Sequence, residues 1–123
     1  MASEAIILFA HGARDPEWAK PVEAVASCLR RRFPDRPIKV AFLEFMAPPL
    51  AEAVSQLLVS PLKSIDILPF FIAQGGHLRK ELPEMLEALR SSYPETQFHL
   101  LPPLGELPEV QAAMADAIAA LVA

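Results

Sequence analysis

The chain is poor in glycine and cysteine, and it has no excess of positive charge. It contains 4 glycines and 1 cysteine, its formal net charge is −4, and 53% of its residues are hydrophobic. The apolar content with so little glycine predicts a folded chain rather than a disordered one. A lone cysteine excludes a disulfide framework and fits the reducing cytoplasm. The negative charge argues against a nucleic-acid partner.

Targeting segments and common catalytic signatures are also missing. The chain opens with Met-Ala-Ser-Glu, which carries no basic segment, and the first apolar run is only five or six residues long. We therefore expect neither a signal peptide nor a membrane span. The sequence has no P-loop, no Gly-x-Gly-x-x-Gly fingerprint and no Gly-x-Ser-x-Gly elbow, so it lacks the usual signatures of nucleotide-binding proteins and α/β-hydrolases.

Proline, in contrast, is abundant, and its 13 copies separate alternating strands and helices. Four apolar runs predict strands at residues 5–9, 38–43, 64–70 and 97–101. Helical stripes follow them, beginning at Val22, Leu50, Leu82 and Val110. This alternation predicts one α/β domain over residues 1–123, with a four-stranded parallel sheet in the order 2-1-3-4 and helices on both faces.

Three chemistry-bearing residues follow the first three predicted strands. His11 and Glu44 are 33 positions apart, as are Glu44 and His77, so one strand–helix unit separates each pair. The equal spacing predicts that all three lie on the carboxyl rim of the sheet, where parallel α/β sheets hold their ligands. We expect their side chains to converge above the first strand.

Two imidazoles and a carboxylate suggest an open site for a divalent transition metal, with His11 and His77 as ligands. A structural zinc site would need a fuller and thiolate-rich ligand set. The alternative is that each histidine is a hydrogen-bonded structural residue, and that Glu44 is a solvated or capping carboxylate. The third histidine, His99, lies within the fourth predicted strand, and we interpret it as structural.

Other polar and small residues accompany the two rim histidines. Arg14, Arg79 and Lys80 directly follow them and suggest a cationic mouth for a carboxylated ligand, with ordinary solvated charge as the alternative. Gly75 and Gly76 precede His77 and are candidates for contact with the same ligand. The lone Cys28 lies on the apolar stripe of the first predicted helix, which predicts a small core residue.

The pair His11-Gly12 also raises a phosphoryl-transfer hypothesis. Histidine phosphatases use an Arg-His-Gly motif in which the arginine binds phosphate beside the nucleophile. Ala10 occupies the position of that arginine here, which disfavours this function.

Taken together, three motifs resemble the short sirohydrochlorin cobaltochelatases of the CbiX type. They are Phe9-Ala10-His11-Gly12-Ala13-Arg14-Asp15-Pro16, Ala41-Phe42-Leu43-Glu44 and Pro69-Phe70-Phe71-Ile72-Ala73-Gln74-Gly75-Gly76-His77-Leu78-Arg79-Lys80-Glu81-Leu82-Pro83. The later Pro102-Pro103-Leu104-Gly105 resembles the end of the family's fourth strand. The motifs stand in the family's order and spacing, and the similarity covers nearly the whole chain.

The resemblance implies a class II chelatase fold, a flavodoxin-like half of a larger two-domain chelatase. It implies insertion of a divalent metal into sirohydrochlorin or a related tetrapyrrole, with Co²⁺ as the first expectation and Fe²⁺ or Ni²⁺ as others. The metal would be a substrate, with no tightly bound cofactor. A non-catalytic carrier of metal or tetrapyrrole is the alternative, because it needs the same ligands without turnover. His11 and His77 would bind it, Glu44 would act nearby, and two copies would pair as a homodimer in the cytoplasm.

Two positions depart from the family pattern. Ala13 stands where a serine is common, and Leu107 stands where many members carry a histidine before a proline. The second departure removes a polar group from the neighbourhood of the expected site. The metal and tetrapyrrole preferences therefore stay open at this point.

Overall fold

The structure is a computed structural model that describes residues 4–123. Four parallel strands form one sheet in the order β2-β1-β3-β4, as predicted. The strands are β1 (Glu4–Ala10), β2 (Ile38–Phe42), β3 (Ser64–Pro69) and β4 (Gln97–Leu100). The first three residues, which belong to the segment expected to carry no signal peptide, lie outside the described range.

Four α-helices alternate with the strands: α1 (Lys20–Arg32), α2 (Leu50–Leu57), α3 (Gly76–Ser92) and α4 (Pro108–Val122). Short 3₁₀ helices at Pro16–Ala19 and Leu104–Glu106 precede α1 and α4. Proline marks several helix starts, since its fixed φ suits the first turn and its missing N–H would be unbonded there anyway. None of the helices in residues 4–123 is long and apolar enough to cross a membrane.

The sheet separates two apolar clusters, so helices cover both of its faces. Ile7 and Phe9 of β1 point into the cluster that contains α2 and α3, while Leu8 points into the cluster that contains α1. All three are fully buried because β1 has a strand on each side and helices on both faces. The central strand therefore fixes the position of the loop that begins at His11.

Helix α3 begins earlier than its apolar stripe indicates. Its buried residues include Leu78 and Leu82, yet the helix starts at Gly76. His77 therefore belongs to the first helical turn and not to a loop. Gly75 is the residue that caps this turn, in an extended conformation.

The prediction that Cys28 is a core residue is wrong. Helix α1 buries Val22 and Ala26, whereas Cys28 is exposed. Two positions along a helix correspond to a rotation of about 200°, so Cys28 points away from the sheet when Ala26 points towards it. Its sulfur lies 3.3 Å from an Arg31 guanidinium nitrogen.

The apolar stripe of α4 is not buried against the rest of the described chain. Helix α4 has no buried residue, and Met114 and Ile118 are exposed. Periodicity correctly indicated an apolar face, but nothing within residues 4–123 covers it.

Candidate functional site

The loops that follow β1 and β2 are bonded to each other at the carboxyl rim. The backbone N–H of Leu43 donates to the Ala10 carbonyl at 2.8 Å, and that of Glu44 donates to the His11 carbonyl at 3.0 Å. These bonds continue the parallel pairing of the two strands beyond their ends. Two of the three predicted rim residues therefore lie on directly connected loops, and both are exposed.

Gly12 allows this close approach. Its φ is +82°, a conformation that residues with a Cβ rarely adopt, and an added Cβ would lie 2.0 Å from the Glu44 carbonyl oxygen. Only glycine fits at position 12, because the φ angle is positive and there is no room for a Cβ atom. The short His11-Gly12 segment holds the Glu44 loop against the end of β1.

His11 also contacts the segment between β3 and α3. Its imidazole lies against the Phe71 ring, with centroids 4.3 Å apart and planes at 39°. The Phe70 N–H donates to the Phe9 carbonyl at 2.7 Å, which anchors this segment beside the His11 loop. Phe71 is buried, so it gives His11 an apolar wall and limits the orientations of its ring.

His77 faces solvent from the first turn of α3. Its side chain is 88% exposed, and its Nε2 lies 3.0 Å from a Glu81 carboxylate oxygen one turn further on. The neighbouring Leu78 supplies the buried contact of this turn. His77 is therefore not needed for packing, and its imidazole is oriented by a carboxylate, as is common for metal-binding histidines.

The three predicted residues do not form a ready three-ligand group. Within residues 4–123, no cluster of three or more His, Cys, Asp or Glu side chains is arranged to hold a metal ion. The expected convergence of His11, Glu44 and His77 side chains is thus wrong for a single copy. His77 turns to Glu81, and Glu44 stands on an exposed loop that is tied to His11 only through the backbone.

The basic residues occupy separate parts of the rim. The Arg14 guanidinium carbon lies 5.1 Å from the centre of the Phe45 ring. Arg79 donates to the Gln74 carbonyl at 3.3 Å and lies 3.7 Å from a Glu106 carboxylate oxygen. Lys80 is exposed next to it. Arg79 is thus partly engaged, whereas Arg14 rests on an aromatic face.

The two glycines before His77 are open to solvent. A Cβ added at Gly75 or Gly76 would meet nothing within 4 Å, so packing does not require glycine at either position. Their proposed contact with a ligand stays a prediction. His99 lies elsewhere, on β4, where its Nδ1 is 3.0 Å from an Asp66 oxygen on β3, as its structural interpretation expects.

Three exposed apolar side chains of the rim were missed from the sequence. Phe45 is 59% exposed, Trp18 71% and Ile72 76%, and they follow β2, β1 and β3 respectively. Phe45 has a φ of 65°, a strained conformation for a bulky residue that tends to occur at functional sites. The sequence did contain a signal for Phe45, since it is an aromatic residue placed between the end of a strand and the Pro48-Pro49 pair.

A depression of about 790 Å³ lies at the opposite end of the sheet. Its lining includes Val59, Lys63 and Pro94, and none of the candidate site residues. We consider the rim the better candidate for the ligand site, because ligands of open parallel sheets bind beyond the carboxyl ends of the strands.

Comparison with known families agrees with the motif resemblance. The family model described as CbiX matches residues 5–121 of this chain. The chain belongs to the CbiX family. A crystal structure of a CbiX protein from Marinobacter aquaeolei VT8 superposes with a TM-score of 0.85 at 28% identity and covers 97% of each chain.

Curated relatives of this CbiX-family chain are named sirohydrochlorin cobaltochelatase. The Saccharolobus islandicus protein is 35% identical over 81 residues, and the Methanopyrus kandleri protein is 32% identical over 82 residues. The match spans 66% of this chain and 62% of the S. islandicus protein, so it covers less than two thirds of that relative's length.

A larger structure shows the same fold at lower identity. The sirohydrochlorin chelatase SirB from Bacillus subtilis subspecies spizizenii, solved in complex with cobalt, has a TM-score of 0.80 at 20% identity. The CbiX-family chain covers 50% of that protein, which agrees with the expected half-chelatase architecture.

Proposed function

We propose that this protein is a chelatase that inserts a divalent metal into sirohydrochlorin or a closely related tetrapyrrole. Family membership and the names of the curated relatives support the activity, and those names favour Co²⁺ over Fe²⁺ and Ni²⁺. The observation that carries the proposal is the hydrogen bond between the two rim loops, in which the Glu44 N–H donates to the His11 carbonyl at 3.0 Å. Metal and tetrapyrrole are both substrates, with no resident cofactor.

Insertion of a divalent metal displaces two protons from the pyrrole nitrogens, so the reaction needs metal ligands and proton acceptors side by side. A neutral imidazole can serve either purpose, because histidine is the side chain that normally changes charge between pH 5 and 8. In the proposed reaction His11 and His77 hold the incoming metal, and Glu44 binds it or accepts a proton. Glu81 orients the His77 ring through its 3.0 Å contact.

The exposed apolar side chains of the rim fit the flat face of a tetrapyrrole, and the cations beside them fit its peripheral carboxylates. Phe45 and Arg14 combine both features, since the guanidinium lies against the ring and keeps its outer N–H groups free for a carboxylate. Arg79, Lys80, Gly75 and Gly76 are the corresponding candidates on the α3 side. A broad macrocycle exceeds one such open rim, so we propose that a homodimer encloses it.

We place the reaction in the cytoplasm. Cys28 is exposed and forms no disulfide, which suits a reducing compartment.

Anaerobic metallation with the protein at catalytic concentration tests the activity. Sirohydrochlorin in large excess is mixed with Co²⁺, Fe²⁺ or Ni²⁺, and metallation is followed by the change in its absorbance spectrum. We expect many turnovers per chain with at least one metal, fastest with Co²⁺. A single stoichiometric binding event without turnover would instead support the carrier hypothesis.

Arg14→Gln is expected to weaken tetrapyrrole binding more than metal binding. Loss of one charge-assisted contact corresponds to roughly a tenfold rise in the apparent substrate constant. Arg79→Gln should have a smaller effect, because Gln74 and Glu106 already engage its guanidinium. Titration of metal-free protein with sirohydrochlorin measures both changes.

Arg32→Gln is the matched control, because it removes the same charge from the exposed end of α1, away from the rim. It should leave the titration unchanged. Added salt should weaken wild-type binding only modestly, since partly desolvated pairs are screened less than exposed ones. Equal affinity in Arg14→Gln and the wild type would show that Arg14 is merely solvated.

A further inference from the structure

The imidazole of His11 lacks the polar partner that the other two histidines have. His77 is paired with Glu81 at 3.0 Å, and His99 is paired with Asp66 at 3.0 Å. Among residues 4–123, no side chain or backbone group forms a hydrogen bond with the His11 ring. Metal-binding histidines are usually held in one orientation by a hydrogen bond to a carboxylate, a carbonyl or water. The orientation of the His11 ring therefore depends on its other contacts.

The contact that the structure provides is the ring of Phe71. The two ring centroids lie 4.3 Å apart, and the ring planes are inclined by 39°. In the register of β1 and β3, Phe9 lies beside Pro69, so two residues further along each chain His11 lies beside Phe71. The pairing of the two central strands thus brings this aromatic ring next to the imidazole.

Phe71 is itself held in place by three neighbouring segments. It is the only buried side chain in the segment 70–75, which joins β3 to α3. The N–H of the preceding Phe70 donates to the Phe9 carbonyl at 2.7 Å, and the Gly105 N–H donates to the Phe71 carbonyl at 2.8 Å. The Phe71 ring also lies 6.3 Å from the Phe9 ring, centroid to centroid. These contacts fix the surface on which the His11 ring rests.

We propose that Phe71 is a positioning residue for metal binding, which presents the His11 imidazole to the incoming metal in one orientation. The assignment rests on the proposed function, in which His11 is a metal ligand. An aromatic pair of this kind favours the contacting arrangement by about 2- to 12-fold. When a ligand is competent in only one arrangement, loss of that arrangement weakens the apparent affinity by the same factor. Phe71 thus has for His11 the role that Glu81 has for His77.

The alternative is that Phe71 only fills the core. It belongs to the buried apolar cluster that also contains residues of α2 and α3. A side chain with that role alone would contribute to stability without affecting the His11 ring. Phe9 supplies the matched comparison, because it is a fully buried phenylalanine of the same cluster that pairs with Phe71 and is not paired with His11.

Proton–carbon correlation NMR spectra of the metal-free protein test the position of the His11 ring. The chain has 3 histidines, so their ring signals are few, and His11→Ala identifies those of His11. We expect the ring current of Phe71 to displace the His11 signals in the wild type and in Phe9→Leu. In Phe71→Leu they should move to the positions of a solvated histidine. Unchanged His11 signals in Phe71→Leu would overturn the proposal.

Titration with Co²⁺ alone measures the consequence for metal binding. Phe71→Leu should raise the dissociation constant for Co²⁺ about 3- to 10-fold, whereas Phe9→Leu should leave it unchanged. Urea unfolding should show a loss of stability in both variants, since each exchanges a buried ring for a smaller side chain. Phe71→Met, which also lacks a ring, should show the same rise and serves as the second variant if Phe71→Leu does not fold. Equal Co²⁺ affinity in the Phe71 and Phe9 variants would overturn the proposal.

Steady-state metallation adds a readout that a loss of stability alone does not change. Phe71→Leu should need more Co²⁺ for half of its maximal rate, while its titration with sirohydrochlorin in the absence of metal should match that of the wild type. A lower maximal rate with an unchanged dependence on Co²⁺ would contradict the assigned role. The NMR spectra and the Co²⁺ titration contain no tetrapyrrole, so they decide the role of Phe71 separately from the proposed chelatase activity, which the wild type alone tests.

Discussion

Replacing His77 by alanine is expected to reduce metallation of sirohydrochlorin at least ~10-fold, the lower end of the usual cost of disturbing a metal site. The fold should be unaffected, because the His77 side chain is 88% exposed and pairs with Glu81 at the surface. Exposed substitutions of this kind change the free energy of unfolding by no more than about 0.5 kcal/mol. Initial metallation rates and urea unfolding of the same preparation separate the two effects.

His11→Ala should cause a comparable loss of metallation, with a small loss of stability in addition. The imidazole packs on the Phe71 ring at 4.3 Å, so its removal also exposes a buried aromatic surface. His77→Ala is therefore the cleaner test of metal binding. Direct titration of each variant with Co²⁺ in the absence of tetrapyrrole shows whether the lost step is metal binding.

Two further variants on α3 make the result specific. Glu84→Ala, two turns beyond His77 and also exposed to solvent, should leave metallation unchanged. Glu81→Gln keeps the size of the side chain but removes the carboxylate that orients His77, and an intermediate loss is expected. Wild-type metallation in His77→Ala would refute its assignment as a ligand.

Much of the fold was predictable because each prediction needed only local pattern and chain connectivity. Equal spacing of the strand–helix units, with right-handed crossovers, is sufficient for the order β2-β1-β3-β4. The rim positions of His11 and Glu44 follow from the same argument. Apolar periodicity, however, indicates only which side of a helix is apolar, and it does not show which surface covers that side. Helix α4 is an example, because it has an apolar stripe but no buried residue.

The details of the site depend on information that the sequence does not display locally. The orientation of His77 depends on a pair with Glu81 one turn away, and both lie in a turn that the apolar stripe does not mark as helical. Phe45 adopts a φ of 65° in a loop whose preceding residue, Glu44, is bonded back to His11, a contact between residues distant in sequence. Such long-range constraints decide side-chain directions, and they require coordinates.

The second large expected effect is a loss of stability when a glycine of the rim is replaced. Gly12→Ala should lower the free energy of unfolding by at least about 2 kcal/mol, because the new Cβ would lie 2.0 Å from a backbone carbonyl oxygen at a φ of +82°. Gly105→Ala should be similarly costly, since its Cβ would lie 2.0 Å from the Ile72 carbonyl oxygen. Backbone atoms cannot move aside as a flexible side chain does, so the rim loops themselves must shift.

Gly76→Ala is the matched control for stability, because its Cβ would meet nothing within 4 Å and the residue is already helical. We expect its stability to be unchanged or raised by up to about 1 kcal/mol. Urea unfolding followed by circular dichroism measures all three variants, and for Gly12→Ala the midpoint of thermal unfolding should fall on the order of 8 °C. Gly12→Ala should also lose metallation, since the displaced Glu44 loop would no longer bond to the His11 carbonyl. Wild-type stability in Gly12→Ala would mean that the His11 and Glu44 loops are not held together at the rim, and the shared site built on that contact would have to be abandoned.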